Sequence, residues 1–268
     1  MAASKQVTWN GVSSSTIPEL VIGKVTRQLL GEARGTHKTV PGREGAWFFP
    51  EKRGLREITL ECFVEAASLG TDRRDAITAV ADWADVETEA RLIISDEPGV
   101  FYEAVLVRPP SPDEWREFGV FDLVFLAQPY ALATTVTAHE TSGDADFTET
   151  WDAGLEVPTY PVITVTPTNG TITSFELTVN GQTLSFTGVI ADDQTITINS
   201  ISAVVTEGVN EDTELTGAYD PNTAIMSGVS GVFPVLLPPS DNSYHFQVLA
   251  GTATAVTVEV IYRLRYRK

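Results

Sequence analysis

Four acidic side chains crowd one short stretch, EGVNEDTE, where Glu207, Glu211, Asp212 and Glu214 offer the oxygen ligands that calcium takes. A solvated loop on an acidic domain is the plainer reading of them. The 36 Asp and Glu of the chain supply many carboxylate pairs of the sort that hydrolyse glycosides, and no spacing singles out one pair. Trp151, Tyr160, Tyr219 and Tyr244 are candidates for a platform on which a sugar ring stacks, with core or edge packing as the plainer reading. A lone cysteine, Cys62, leaves no internal disulfide and argues against zinc ribbons and iron–sulfur clusters. It reads as a small buried hydrophobe. The three histidines, His37, His139 and His245, are far apart in sequence, so no histidine metal site is expected. The chain has no P-loop, GxGxxG, HExxH, GxSxG or EF-hand pattern. No catalytic set and no cofactor are expected; the chain reads as built for shape and surface.

Charge is distributed unevenly. Residues 1–116 hold 14 Lys and Arg against 18 Asp and Glu, whereas residues 117–262 hold 18 Asp and Glu and no cation. The final RLRYRK then adds Arg263, Arg265, Arg267 and Lys268. A surface without cations does not grip nucleic acid phosphates and is repelled by anionic membranes. No run approaches the roughly 18 apolar residues of a membrane span. The opening MAASKQVTWNGVSSS has no apolar run after Lys5, so a secretory leader is not expected there.

The elements follow from periodicity. LREITLECFV alternates, with Leu60, Cys62 and Val64 on one face, and reads as a half-buried strand. TDRRDAITAVADWADVE carries Ile77, Val80, Ala81 and Ala84 at helical spacing, with Trp83 flanking them, and predicts a helix capped by Thr71 or Asp72. Pro98-Gly99 predicts a turn between two apolar runs, and Asn180-Gly181 a tight hairpin. Residues 1–130 thus read as a sheet with one helix. Residues 131–153, small and polar without sustained periodicity, read as a linker. Residues 154–268, rich in Thr, Val and Ile with regular turns, read as an all-β sandwich. The expected class is mainly β: a sandwich-like sheet domain with one helix, followed by a second β-sandwich.

The order of features resembles the distal tail protein family of long-tailed bacteriophages with non-contractile tails, and the related tail-component family. The pieces are PGREGAW at 41–47, GLREITLECFV at 54–64, DRRDAITAVADWA at 72–84, ARLIISDEPGVFYEAVLV at 90–107 and FGVFDLVFLAQPY at 118–130. Within them stand Gly42-Arg43 with Gly45, Trp83, Tyr102 with Ala104, and Pro129-Tyr130. The second half fits more loosely, through Asp152-Ala153-Gly154, Tyr160-Pro161-Val162-Ile163 and Phe233-Pro234-Val235-Leu236. Its later turn, Pro238-Pro239-Ser240-Asp241-Asn242, lacks the family's glycine.

The resemblance implies a structural virion protein of the tail tip, made in the host cytoplasm. Six copies would form a ring through the first domain, with a galectin-like second domain pointing outward. Partners would be copies of itself, the tail tube protein, the tail hub or baseplate protein, and a receptor-binding protein or host glycan. DNA would only pass through the lumen, which acidic walls would keep from sticking. Val21, Val25, Arg27, Leu29, His37, Val40 and Arg43 then become ring-interface candidates. Arg263, Arg265, Arg267 and Lys268 become a candidate docking patch. Trp151, Tyr219 and Tyr244 remain as sugar contacts if the second domain is instead a carbohydrate-binding adhesion module.

Overall fold

A computed structural model describes residues 5–17, 20–34, 37–39, 44, 46–48, 52–64, 73–108, 120–208, 225–238 and 241–267. The chain divides into two units, Met1–Thr134 with Arg267–Lys268, and Thr135–Tyr266.

The first unit contains β1 (Val7–Trp9), β2 (Val12–Ser13), β3 (Leu20–Arg27), β4 (Ala33–Arg34), β5 (His37–Thr39), β6 (Ala46–Phe48), β7 (Lys52–Arg53), β8 (Arg56–Val64), helix α1 (Arg73–Ala84), β9 (Ala90–Ile94), β10 (Val100–Arg108), β11 (Val120–Ala127) and β12 (Ala131–Ala133). Its main sheet runs β2-β1-β9-β10-β11-β8-β3, with β12 on β10. The sheet curls until its ends meet: the Lys5 backbone N–H donates to the Ile22 carbonyl at 3.1 Å. The alternation expected for β8 is present, with Ile58, Leu60, Cys62 and Val64 buried and Glu57 exposed. Those side chains join Trp9, Ile22, Leu92, Ile94, Leu123 and Phe125 in the core. Trp9 meets Phe125 edge-on, at 4.9 Å between ring centroids. Full burial of each such side chain stabilises the fold by about 1.5–3 kcal/mol.

Helix α1 falls where its spacing predicts, but its buried stripe is rotated. Val80, Trp83 and Ala84 are buried and Ala81 is exposed. Trp83 is the cause: its Nε1 donates to the Val12 carbonyl at 3.0 Å, which turns the indole inward. The capping candidates Thr71 and Asp72 lie outside the described residues.

The second unit contains β13 (Thr137–Asp144), β14 (Asp146–Asp152), β15 (Val162–Thr168), β16 (Ile172–Val179), β17 (Gln182–Ile190), β18 (Ile196–Asn199), β19 (Val204–Glu207), β20 (Val229–Gly231), β21 (Asp241–Gly251), β22 (Ala255–Tyr262) and β23 (Arg265–Tyr266). Two five-stranded antiparallel sheets, β13-β22-β15-β18-β19 and β14-β21-β16-β17-β20, share one core that includes Ile163, Val165, Phe175, Leu177, Phe186, Ile198, Phe246 and Val258. This is a β-sandwich. The β16–β17 hairpin turns at Asn180 (φ 49) and Gly181 (φ 79), the paired positive angles that a two-residue loop of matching twist requires.

Residues 131–153 are not the linker that their composition suggests. They hold β12 and the hairpin β13–β14, whose two strands enter different sheets. Each strand half-buries only one side, and that side is furnished by Thr137, His139, Thr141 and Gly143 or by Phe147, Glu149 and Trp151. With so few apolar residues, the period of two is invisible to hydropathy.

Candidate assembly surfaces

The ring-interface candidates fall on β3 and the ribbon that follows it. Val21 and Val25 are half-buried and sit opposite Phe63 and Leu60 of β8. Between them β3 bulges at Gly23, where an added Cβ would lie 2.5 Å from the Phe63 ring. Arg27, also half-buried, pairs with Asp96 and with Glu97, the latter at 2.7 Å, and Lys5 Nζ reaches Asp96 at 3.2 Å. So Arg27 closes its own curled sheet, binding the end of β3 to the β9–β10 turn. Burial works to raise the Asp96 pKa, but Lys5 and Arg27 outweigh it and hold the carboxyl below its ordinary value. Burial likewise opposes the Arg27 charge, and the contacts with Tyr102, Glu97 and Asp96 more than restore it.

Leu29 lies just past β3 and is 81% exposed; Leu30 and Leu55 beside it are 49% and 39% exposed. They surround the root of a ribbon in which β4 pairs with β7 and β5 with β6. Gly31 makes that root possible, because a Cβ there would meet the Gly54 carbonyl oxygen at 2.0 Å. His37 takes its place in β5, opposite Phe48. Val40 and Arg43 lie outside the described residues.

Arg56, which sequence reasoning left unassigned, anchors the root from within. It is 1% exposed, and its Nη2 donates to the Pro129 carbonyl at 2.8 Å and to the Leu29 carbonyl at 3.4 Å. Its Nε is buried without a hydrogen-bond partner among the described residues. Burial pulls its pKa below the ordinary arginine value. The signal was present: Arg56 is in phase with Ile58, Leu60 and Cys62, a cation on the apolar face of an alternating strand. Leu30 and Leu55 carried no such signal, since apolar residues beside glycines read equally as core.

The C-terminal cations do not form the expected patch. Arg263 is 5% exposed, and Arg265 is half-buried with its Nη1 on the Pro158 carbonyl at 3.1 Å. Arg267 is exposed, and Lys268 lies outside the described residues. Tyr262 and Arg263 are buried in succession, and Leu264 packs partly buried against the sandwich core, so the segment runs along the core rather than standing out from it.

Of the three sugar-contact candidates, Trp151 and Tyr244 fall among the described residues and both pack against the sandwich core. Tyr244 is 1% exposed and belongs to the core, its hydroxyl pushed up to about 12 by burial. Trp151 packs against the same core. His139 stacks on it at 4.8 Å with rings 5° from parallel, Tyr244 abuts it edge-on at 5.7 Å, and its Nε1 donates to the Tyr262 hydroxyl at 3.4 Å. His139 thus takes one face of the indole. Tyr219 lies outside the described residues, as do Glu211, Asp212 and Glu214 of the acidic loop. Glu207 accepts a hydrogen bond from Gln194. Among the described residues no three acidic, histidine or cysteine side chains converge as a metal site. Cys62 is buried, and its thiol is pushed up to about 12, which leaves it a packing residue.

Residues 19–127 match the model of the phage tail protein RIFT-related domain. No curated protein matches the sequence. Among solved structures, the chain shares its fold with the Dit (gp 19.1) protein of phage SPP1, described as a paradigm of the hub adsorption apparatus in phages infecting Gram-positive bacteria. The TM-score is 0.70 at 14% identity, over 98% of this chain and 100% of that one. A chain of the phage p2 baseplate in its activated conformation with strontium gives a TM-score of 0.46 at 9% identity, over 97% and 98%. A chain of the calcium-bound baseplate gives 0.41 at 9%, over 91% and 98%.

Proposed function

We propose that this protein is a structural component of a phage tail tip, in which six copies close into a ring that joins the tail tube to the hub and the receptor-binding apparatus. One observation carries the reading: residues 19–127, which match a phage tail domain, are those that fold into the unit bearing the exposed leucines and the ribbon. A ring needs a surface on each copy that fits a different surface on the next, repeated by rotation. Leu29, Leu30 and Leu55 supply an apolar contact of that kind, and the ribbon supplies strand edges. The protein works by shape and carries out no reaction; it resides in the virion tail, and its lumen lets DNA through without holding it.

Electron microscopy of purified tail tips, with antibody against this chain, tests the proposal. Six-fold density at the tip that binds the antibody is the expected result. Tips without the chain, or a different copy number, would overturn it.

A further inference from the structure

We propose that the outer edge of β13 is a strand-addition site for an extended cationic segment of another protein, with Lys or Arg side chains opposite Glu140 and Asp144. Of the four edge strands among the described residues of the sandwich, β19 and β20 span only four and three residues, a common way of blunting an edge. The other two are long. β13 has eight residues and β14 seven, and both pair along their whole length without a bulge. Neither contains Pro, Lys or Arg, the residues that usually keep foreign strands away. Among the described residues, no strand pairs with the far side of β13.

The charges distinguish the two. On β14, Asp146 has His245 at 2.8 Å and Glu149 has His139 at 3.6 Å. On β13, Glu140 stands directly opposite Glu259 of β22, and among the described residues neither side chain makes an ion pair or hydrogen bond. Like charges directly opposite each other destabilise a sheet. No Lys or Arg exists between residues 117 and 262 to neutralise them. Asp144, exposed at the end of the same face, adds a further negative charge. Two such edges repel one another, so this edge rejects its own kind while its open backbone groups invite a cationic strand.

A strand laid beside β13 at about 4.8 Å brings its outward side chains alongside Ala138, Glu140, Ser142 and Asp144. Glu140 and Asp144 are four residues apart, so the incoming segment needs cations at positions i and i+4. Strand addition of this sort draws affinity from main-chain hydrogen bonds and selectivity from alternate side chains. The site does not depend on the ring.

The test uses the full-length chain and an eight-residue peptide of alternating threonine and valine with lysine at its second and sixth positions. Hydrogen exchange read by mass spectrometry locates the contact. The lysine peptide is expected to slow exchange across 137–144, while the same peptide with glutamate for lysine does not. Glu140→Lys should weaken binding about 10-fold without lowering the melting temperature, since a lysine there faces Glu259 as an opposite charge. The proposal is overturned by no protection across 137–144, or by equal binding of a peptide whose alternate amides are N-methylated. It is also overturned if the chain associates with itself through 137–144 and Arg34→Glu with Lys38→Glu abolishes that, which would give the edge to a second copy.

Discussion

The guanidinium of Arg56 lies over the ring of Tyr102, 5.4 Å from its centroid, and the Tyr102 hydroxyl donates to Glu97 at 2.7 Å. A buried cation is thus linked, through an aromatic ring, to the same carboxylate that receives Arg27. Replacing Arg56 by Ala strips the Pro129 and Leu29 carbonyls of their donor and opens a cavity. The expected loss is about 3–5 kcal/mol, measured by urea unfolding. Arg56→Lys keeps the charge but not the fork, and should recover only part of it.

The Asp96 pKa is depressed in the folded chain, so its contribution is fully present above the unfolded-state value of about 4 and disappears as pH falls through the folded-state value. Asp96→Asn should be less stable than the parent at neutral pH, with the difference closing as the pH drops below about 4. Thermal melts of both proteins across that range read the effect. Salt should shrink it, because Asp96 and Lys5 are both more than a third exposed.

Gly31→Ala places a methyl group against backbone, and the Gly54 carbonyl must shift to admit it. The ribbon root should loosen, seen as faster hydrogen exchange over residues 28–34 and 52–56, while the sandwich amides keep their protection.

Leu29→Asp with Leu30→Asp changes exposed side chains only, so stability should move by no more than about 0.5 kcal/mol. Ring formation should nevertheless fail, giving a smaller mass by light scattering and empty tail tips by microscopy.

Trp151→Ala should cost about 2–3 kcal/mol in melts of the full chain, since the indole fills space between His139 and Tyr244. A glycan array should give the same result for parent and variant, because His139 already stacks on the indole.

Legibility in the sequence followed the chemistry of each segment. β8, α1, the Pro98-Gly99 turn and the Asn180-Gly181 hairpin were plain because apolar spacing or turn residues mark them. β13 and β14 were hidden because a strand that closes the side of a sandwich half-buries threonine, histidine and glycine, which hydropathy scores as loop. The inward turn of Arg263 was hidden too. Charge suggested a surface patch, whereas Arg263 is buried and Arg265 hydrogen-bonds the Pro158 carbonyl.

The hairpin at 137–152 sends one strand to each sheet and therefore acts as a staple along one flank of the sandwich. A recombinant fragment that starts at residue 154, where composition alone invites the cut, would lose a full strand from both layers at once. It would bare β21 and β22 along their length and uncover Phe246. Such a fragment should clump rather than fold, and any inability to bind a partner would then reflect a torn flank instead of a missing activity. Cutting at 134–135 keeps the staple.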